Sequence, residues 1–288
     1  MKAWVKGIIA GAVIAVIGIA VLIGGLYMNG WKFPNVYYDF EMRTFTAENG
    51  DIKDLKLDID AGPVRTEFYD GETVTVDYPE CEVFGYEITE TNGILEVKTV
   101  QKSFWHWLRW LPWSTSNIPA TVIKLPQNKI YDLQIYLDAG MITLADGNYG
   151  KLNLDINAGT VKTESIACAD FNIDMAAGTV NAGKIVCDNF GIDLAAGTVT
   201  VRETATDKLN CDISAGTVSF KKIQSNYTSI EASAGTVNAA FTKAQAEYNI
   251  NVNKSAGTCN VKSSQGTTDK TIKVRISAGT VKLTFAEA

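Results

Sequence analysis

Residues 151–199 read KLNLDINAGTVKTESIACADFNIDMAAGTVNAGKIVCDNFGIDLAAGTV, and within them A-G-T-V returns every 19 residues. Glycines 140, 159, 178, 197, 216 and 235 keep that spacing, and those at 257 and 279 follow at intervals of 22. An alternating run precedes each glycine. Leu152, Leu154, Ile156 and Ala158 point one way and Asn153, Asp155 and Asn157 the other, which is the period of a strand with one buried face. Ala158 and Val161 are three apart, yet both are expected inside, so the chain must bend at Gly159-Thr160, where glycine permits a positive φ without a Cβ penalty. Val161 and Thr163 then start a second short strand, and a turn follows that carries one more apolar residue, as at Ile166, Ile185 and Ile223. One repeat is one lap of a coil.

Stacked laps place like residues over like at about 4.8 Å. The sequence supplies such ladders: Thr160, Thr179, Thr198, Thr217, Thr236, Thr258 and Thr280 outside, and Val161, Val180, Val199, Val218, Val237, Cys259, Val261 and Val281 mostly filling an inner row. The expected fold is therefore all-β, a single-domain β-solenoid of about 19-residue repeats behind one N-terminal transmembrane helix. A soluble antiparallel meander is the alternative. A membrane barrel is excluded by an outward set of Asp, Asn, Ser, Thr and Lys, because lipid-facing positions must be apolar.

Residues 54–68 repeat the strand, bend and strand ahead of the regular array. Between 72 and 126 the pattern loosens, with a hairpin signal at Asn92-Gly93. This gives an irregular β region and cap over 51–130 and a regular array over 131–288. No C-terminal cap is legible: the last corner, Gly279, is close to the end of the sequence, so the last lap either stands exposed or is covered by something else.

From Gly7 to Met28 no residue is charged. At 1.5 Å per residue the run spans about 33 Å, enough for a bilayer core of about 30 Å. Trp4 precedes it, Tyr27 and Trp31 close it, and Lys2 and Lys6 lie on its N-terminal flank. The positive-inside bias then places residues 1–6 in the cytoplasm, 7–28 in the lipid bilayer, 29–50 in a stalk and the rest outside, as a single-pass cell-membrane protein. A cleaved signal peptide is the competing reading, but the run exceeds a signal h-region and no A-x-A-like site follows.

The net charge of −6 comes without a basic stripe, so nucleic acid is excluded as a partner. A single histidine, His106, removes most Ser/His, Cys/His and His-rich metal chemistry. The five cysteines, at 81, 168, 187, 211 and 259, lack C-x-x-C spacing and read as small buried hydrophobes. Cys168 and Cys187 occupy equivalent places one repeat apart, which in a stacked coil makes them near neighbours and leaves a disulfide open in an oxidising compartment.

The strand and turn YEITETNGILEVKTV (86–100), the stretch ATVIKLPQNKIYDLQIYLDAGMITL (120–144) and the SAGTV units together resemble the bacterial "putative adhesin" proteins of unknown function, sometimes called toastrack-like. Some of these are membrane-anchored products of Lia-type envelope-stress operons. The resemblance covers roughly residues 50–288. It implies a β-solenoid outside the membrane with no established enzymatic activity, and it carries no site residues across. A tryptophan cluster and an unusually regular repeat depart from it.

Two features are candidate sites. Residues 104–113 (FWHWLRWLPW) hold Trp105, Trp107, Trp110 and Trp113, a hydrophobic cap over the open solenoid end or a contact with the membrane interface or a glycan. The second is an acidic row four residues before successive glycines: Asp155, Asp174, Asp193, Asp212 and Glu231. Solvation and screening are the ordinary relief for such a row, and calcium between successive carboxylates is the alternative. No other cofactor is indicated. The expected function is a surface binding or structural module for a surface protein or glycan, without enzymatic activity. The alternative is a polysaccharide-active enzyme using the acidic row, and that enzyme would need a groove lined by two or more of these carboxylates.

Overall fold

The computed structural model describes residues 39–48, 50–102 and 118–287. The expected anchor at 7–28, residues 29–38 of the expected stalk and the four clustered tryptophans lie outside the described residues, while residues 41–46, expected in the stalk, form a strand of the sheet because they pair antiparallel with residues 75–80. Among the described residues no helix is long and apolar enough to cross a membrane. The strands belong to one unit, Phe40–Lys102 with Ile118–Ala288.

The alternating runs form strands that pair in parallel at the repeat spacing, as expected of a solenoid. Strand β1 (Glu41–Thr46) is followed by β2 (Asp54–Tyr69), β3 (Thr75–Glu80), β4 (Phe84–Thr91), β5 (Ile94–Gln101) and β6 (Thr121–Pro126). Then come β7 (Asp132–Leu144), β8 (Gly147–Asn148) and the 82-residue β9 (Lys151–Ala232), which winds through several laps without losing its pairing. The chain closes with β10 (Thr236–Phe241), β11 (Asn249–Lys254), β12 (Thr258–Cys259), β13 (Thr271–Ile276) and β14 (Thr280–Thr284). The fourteen strands among the described residues join one sheet. Leu133 faces Leu152, Ile142 faces Val161, and 19 residues separate each pair.

Each lap turns its core inward in three runs. In the lap that starts at Lys151 these are Leu152, Leu154 and Ile156, then Val161 and Thr163, then Ile166 with half-buried Cys168. Asn157 with Ala158, and Glu164 with Ser165, are consecutive outward residues that mark the corners between runs. This corrects the expected inward position of Ala158, which is exposed, as are Ala177, Ala196 and Ala215. The bend starts one residue earlier than the alternation implies, because two successive outward residues shift the phase as a bulge does.

The inner columns are continuous. Val161, Val180, Val199, Val218, Val237 and Val281 are each at most 1% exposed, and the Phe171 and Phe190 rings stack at 5.5 Å. Each such side chain contributes about 1.5–3 kcal/mol on burial. The glycine column has a stricter requirement than backbone freedom alone. Gly197 does hold a positive φ of 140°, but Gly159 is not among the glycines with positive φ. A Cβ at Gly159 would stand 2.5 Å from the Gly140 carbonyl oxygen, and one at Gly197 2.1 Å from that of Gly178. Successive laps approach so closely at this corner that any side chain would collide with the backbone beneath.

The stacking order departs from the sequence at both ends. At the N-terminal end β2 lies between β7 and an outer lap made of β5 and β6, both parallel to it. β4 pairs antiparallel with β5 in a hairpin, and β3 pairs antiparallel with β6 and carries β1 on its other side. The turn between β4 and β5 has positive φ at both Asn92 (51°) and Gly93 (79°), the geometry expected of that dipeptide. At the other end the last lap in sequence, β13 and β14, is not the last in space. It inserts between the 227–241 lap and the 249–259 lap: β13 pairs with β9 and β11, and β14 with β10 and β12. The open end is the 249–259 lap, and residues 260–270 fold back over its edge through Ile250–Ser264 backbone hydrogen bonds of 2.8 and 2.9 Å. A C-terminal cap therefore exists. It precedes the last lap in sequence, which hides it from a linear reading.

Candidate functional site

Asp155, Asp174, Asp193, Asp212 and Glu231 occupy equivalent outward positions on successive laps, so the fold does assemble the expected acidic row. The pairing also shows what brackets it. At one end Asp155 faces Tyr136, which faces Asp58, which faces Lys98, and the Lys98 ammonium is 2.9 Å from the Asp58 carboxylate. At the other end Glu231 faces Arg275, with Nη1 donating to Oε1 at 2.7 Å, and Arg275 faces Asn253. Stacking in sequence order would have set Glu231 against Asn253. The crossover of the last lap supplies the cation instead.

Beside this row runs a second outward column, Asn153, Asn172, Gly191, Asn210 and Ser229, in which Asn172 donates to Asn153 Oδ1 at 3.1 Å. Gly191 has no side chain where its neighbours carry amides, and a Cβ there would stand 2.5 Å from Asn172 Oδ1. The gap opens a shallow depression of about 360 Å³ lined by Asp174, Asp193, Asp212 and Glu231 with Asn172, Asn210 and Ser229. A second depression, of about 350 Å³, continues from Ser229 and Glu231 to Lys273 and Arg275. The Lys273 ammonium also lies 5.2 Å from the centre of the Tyr227 ring. The face thus runs from acidic to basic along the stack.

The Asp193 carboxyl is pushed above the ordinary aspartate range, first by partial burial and then by Asp174 and Asp212 on either side. Like charges one lap apart are therefore not fully relieved at the middle of the row. For calcium the arrangement is poor: among the described residues no three His, Cys, Asp or Glu side chains are grouped so as to hold a metal ion. A row spread along the stack does not converge on one point, whereas a calcium shell takes 6–8 oxygens around a single ion.

Other corners carry interlap hydrogen bonds that sequence reasoning missed. Asn157 donates to Asp138 at 2.6 Å, Asn189 to Asp170 at 2.7 Å and Asn226 to Asp207 at 2.8 Å. The signal was an Asp followed 19 residues later by an Asn. Cys168 and Cys187 are also brought together as free thiols, while Cys81 and Cys211 are buried as small apolar groups.

A putative adhesin from Bacteroides fragilis NCTC 9343 aligns at a TM-score of 0.47 and 10% identity, over 87% of this chain and 100% of its own. A putative adhesin from Parabacteroides merdae ATCC 43184 gives 0.47 and 12% over 85% and 96%. A putative lipid binding protein from Parabacteroides distasonis ATCC 8503 gives 0.47 and 12% over 87% and 99%. No curated protein sequence matches the chain. The family model described as Toastrack DUF4097 matches residues 46–284, nearly all of the stacked laps, and the chain belongs to that family.

Proposed function

We propose that this toastrack domain is held outside the cell by the 7–28 segment and works without catalysis, as a rigid module whose polar outward face binds a surface protein or glycan. The observation that carries the reading is the open face along the acidic row. It is polar, shallow, regularly spaced and ends on Lys273 and Arg275, which suits an extended ligand lying across several laps. A role in envelope stress fits the anchor and the family resemblance and is part of the same proposal. The test is a photo-crosslinking side chain placed in the chain in living cells at Asn210, beside the depression, or at Lys221, an exposed position away from it. The proposal expects a discrete adduct from position 210 and none from 221. Equal, diffuse labelling from both would contradict it.

A second reading has one observation in its favour. The depression is lined by four carboxylate residues, and Asp193 among them holds its proton more tightly than a free aspartate, which is the pairing of states a glycosidase uses. Release of reducing ends from cell-envelope polysaccharide that is lost in Asp193→Asn would favour this reading over the first.

A further inference from the structure

The third inward run of each lap places Cys168, Cys187, Thr206 and Ser225 in one column, at intervals of 19 residues. Its register is fixed by the adjacent Asn189–Asp170 hydrogen bond and by Cys187 Sγ, which lies 3.8 Å from Thr206 Oγ1. Cys187 donates to Thr206 Oγ1, and the Thr206 hydroxyl has the Asp188 and Lys208 carbonyl oxygens in reach, each at 3.0 Å. Interaction between the two thiols holds the Cys187 thiol below its usual range and pushes the Cys168 thiol above it. Cys187 also lines an open cavity of about 540 Å³ together with Thr206, Ser225, Lys243, Tyr248 and Lys270. The lining also carries the Asp207 carboxylate, and neither lysine's ammonium is ion-paired among the described residues. Residues stacked on adjacent parallel strands are about 4.8 Å apart, inside the roughly 4.4–6.8 Å that a disulfide requires between Cα atoms.

We propose that Cys168 and Cys187 form a dithiol site that takes an organic disulfide as its oxidant and closes into a disulfide between neighbouring laps. The Cys187 thiolate attacks one sulfur of RSSR, a Cys187–SR bond forms, and the first RS⁻ leaves and takes up the proton that Cys187 lost. Cys168 then gives up its proton and attacks the Cys187 sulfur, which expels the second RS⁻ as RSH. Two protein thiols are oxidised and one organic disulfide is reduced to two thiols, with no further oxidant. Cys211 stays out of the exchange, because full burial pushes its thiol up to about 12.

The experiment treats the full chain with glutathione disulfide, quenches in acid, blocks free thiols and maps tryptic peptides. Cleavage at Lys162, Lys184 and Arg202 separates the two cysteines onto peptides 163–184 and 185–202. The expected result is those two peptides joined, a thermal midpoint raised by about 6 to 12 °C and full reversal by dithiothreitol. In Cys168→Ser, glutathione should remain attached to the 185–202 peptide, because no resolving thiol is present. Both peptides recovered as blocked free thiols in the parent, or glutathione in the variant found only on Cys81, Cys211 or Cys259, would overturn the assignment. If the variant fails to fold, the joined peptide in the parent still decides the matter.

Discussion

Arg275 reaches across 44 residues of sequence to place its guanidinium 2.7 Å from the Glu231 carboxylate. Strand β13 lies between Glu231 and Asn253 only because the last lap inserts before the 249–259 lap. The ion pair therefore reports the stacking order and terminates the acidic row with a cation.

Because Arg275 and Glu231 are 69% and 42% exposed, their pairing is worth under about 1 kcal/mol. Arg275→Gln should lower stability by no more than that. The loss should shrink as salt rises, since an exposed pair is screened over about 8–10 Å at physiological ionic strength. Denaturation at two salt concentrations checks it. A salt-independent loss of several kcal/mol would mean the arginine acts through packing.

Gly197 carries both a positive φ and a Gly178 carbonyl oxygen 2.1 Å from the position of an added Cβ. Gly197→Ala should therefore cost more than the roughly 1–3 kcal/mol of backbone strain alone. Thr200→Val, on the same lap, should change stability by about 0.5 kcal/mol or less. Chemical denaturation of the two variants measures the difference, and similar midpoints would count against the close approach of laps at this corner.

Asp193 binds its proton more tightly in the folded chain than in the unfolded one, since burial and its neighbours raise its carboxyl. Between the ordinary aspartate range and that raised value the folded state holds more protons, so this group's contribution to stability falls as pH rises through that window. Asp193→Asn should accordingly stabilise the protein at neutral pH, and the gain should vanish in acid, where the parent carboxyl is protonated in both states. Thermal midpoints across pH test this, and a variant less stable than the parent at neutral pH would show that Asp193 is held by a favourable partner.

With no converging carboxylate group among the described residues, millimolar calcium should move the midpoint of the parent no further than equal magnesium does. A larger calcium shift that disappears in an Asp174→Asn, Asp193→Asn double variant would restore the calcium reading.

Much of this was legible in the sequence. The 19-residue recurrence gave the laps, the valine and threonine ladders gave the inner and outer rows, and Asn92-Gly93 gave its hairpin. The stacking order was not legible, because the strand ahead of Gly257 and the one ahead of Gly279 both alternate, and nothing local in either names its neighbour. Arg275 was hidden for that reason. The depression left a trace in Gly191, a glycine where the equivalent positions carry Asn172 and Asn210, yet a missing side chain counts as a site only once its neighbours are in place. Ala158 misled because alternation fixes which way a straight strand faces, and the corner begins just before it.

The central claim is that the stacked laps stand outside the cell, and surface labelling tests it most directly. Lys221→Cys puts a thiol at an exposed corner, to be treated with a membrane-impermeant maleimide in intact cells and again after lysis, with the parent chain as the background. The account predicts that the engineered thiol is labelled in intact cells as fully as after lysis. Labelling above background only after lysis would put the domain on the cytoplasmic side and contradict it.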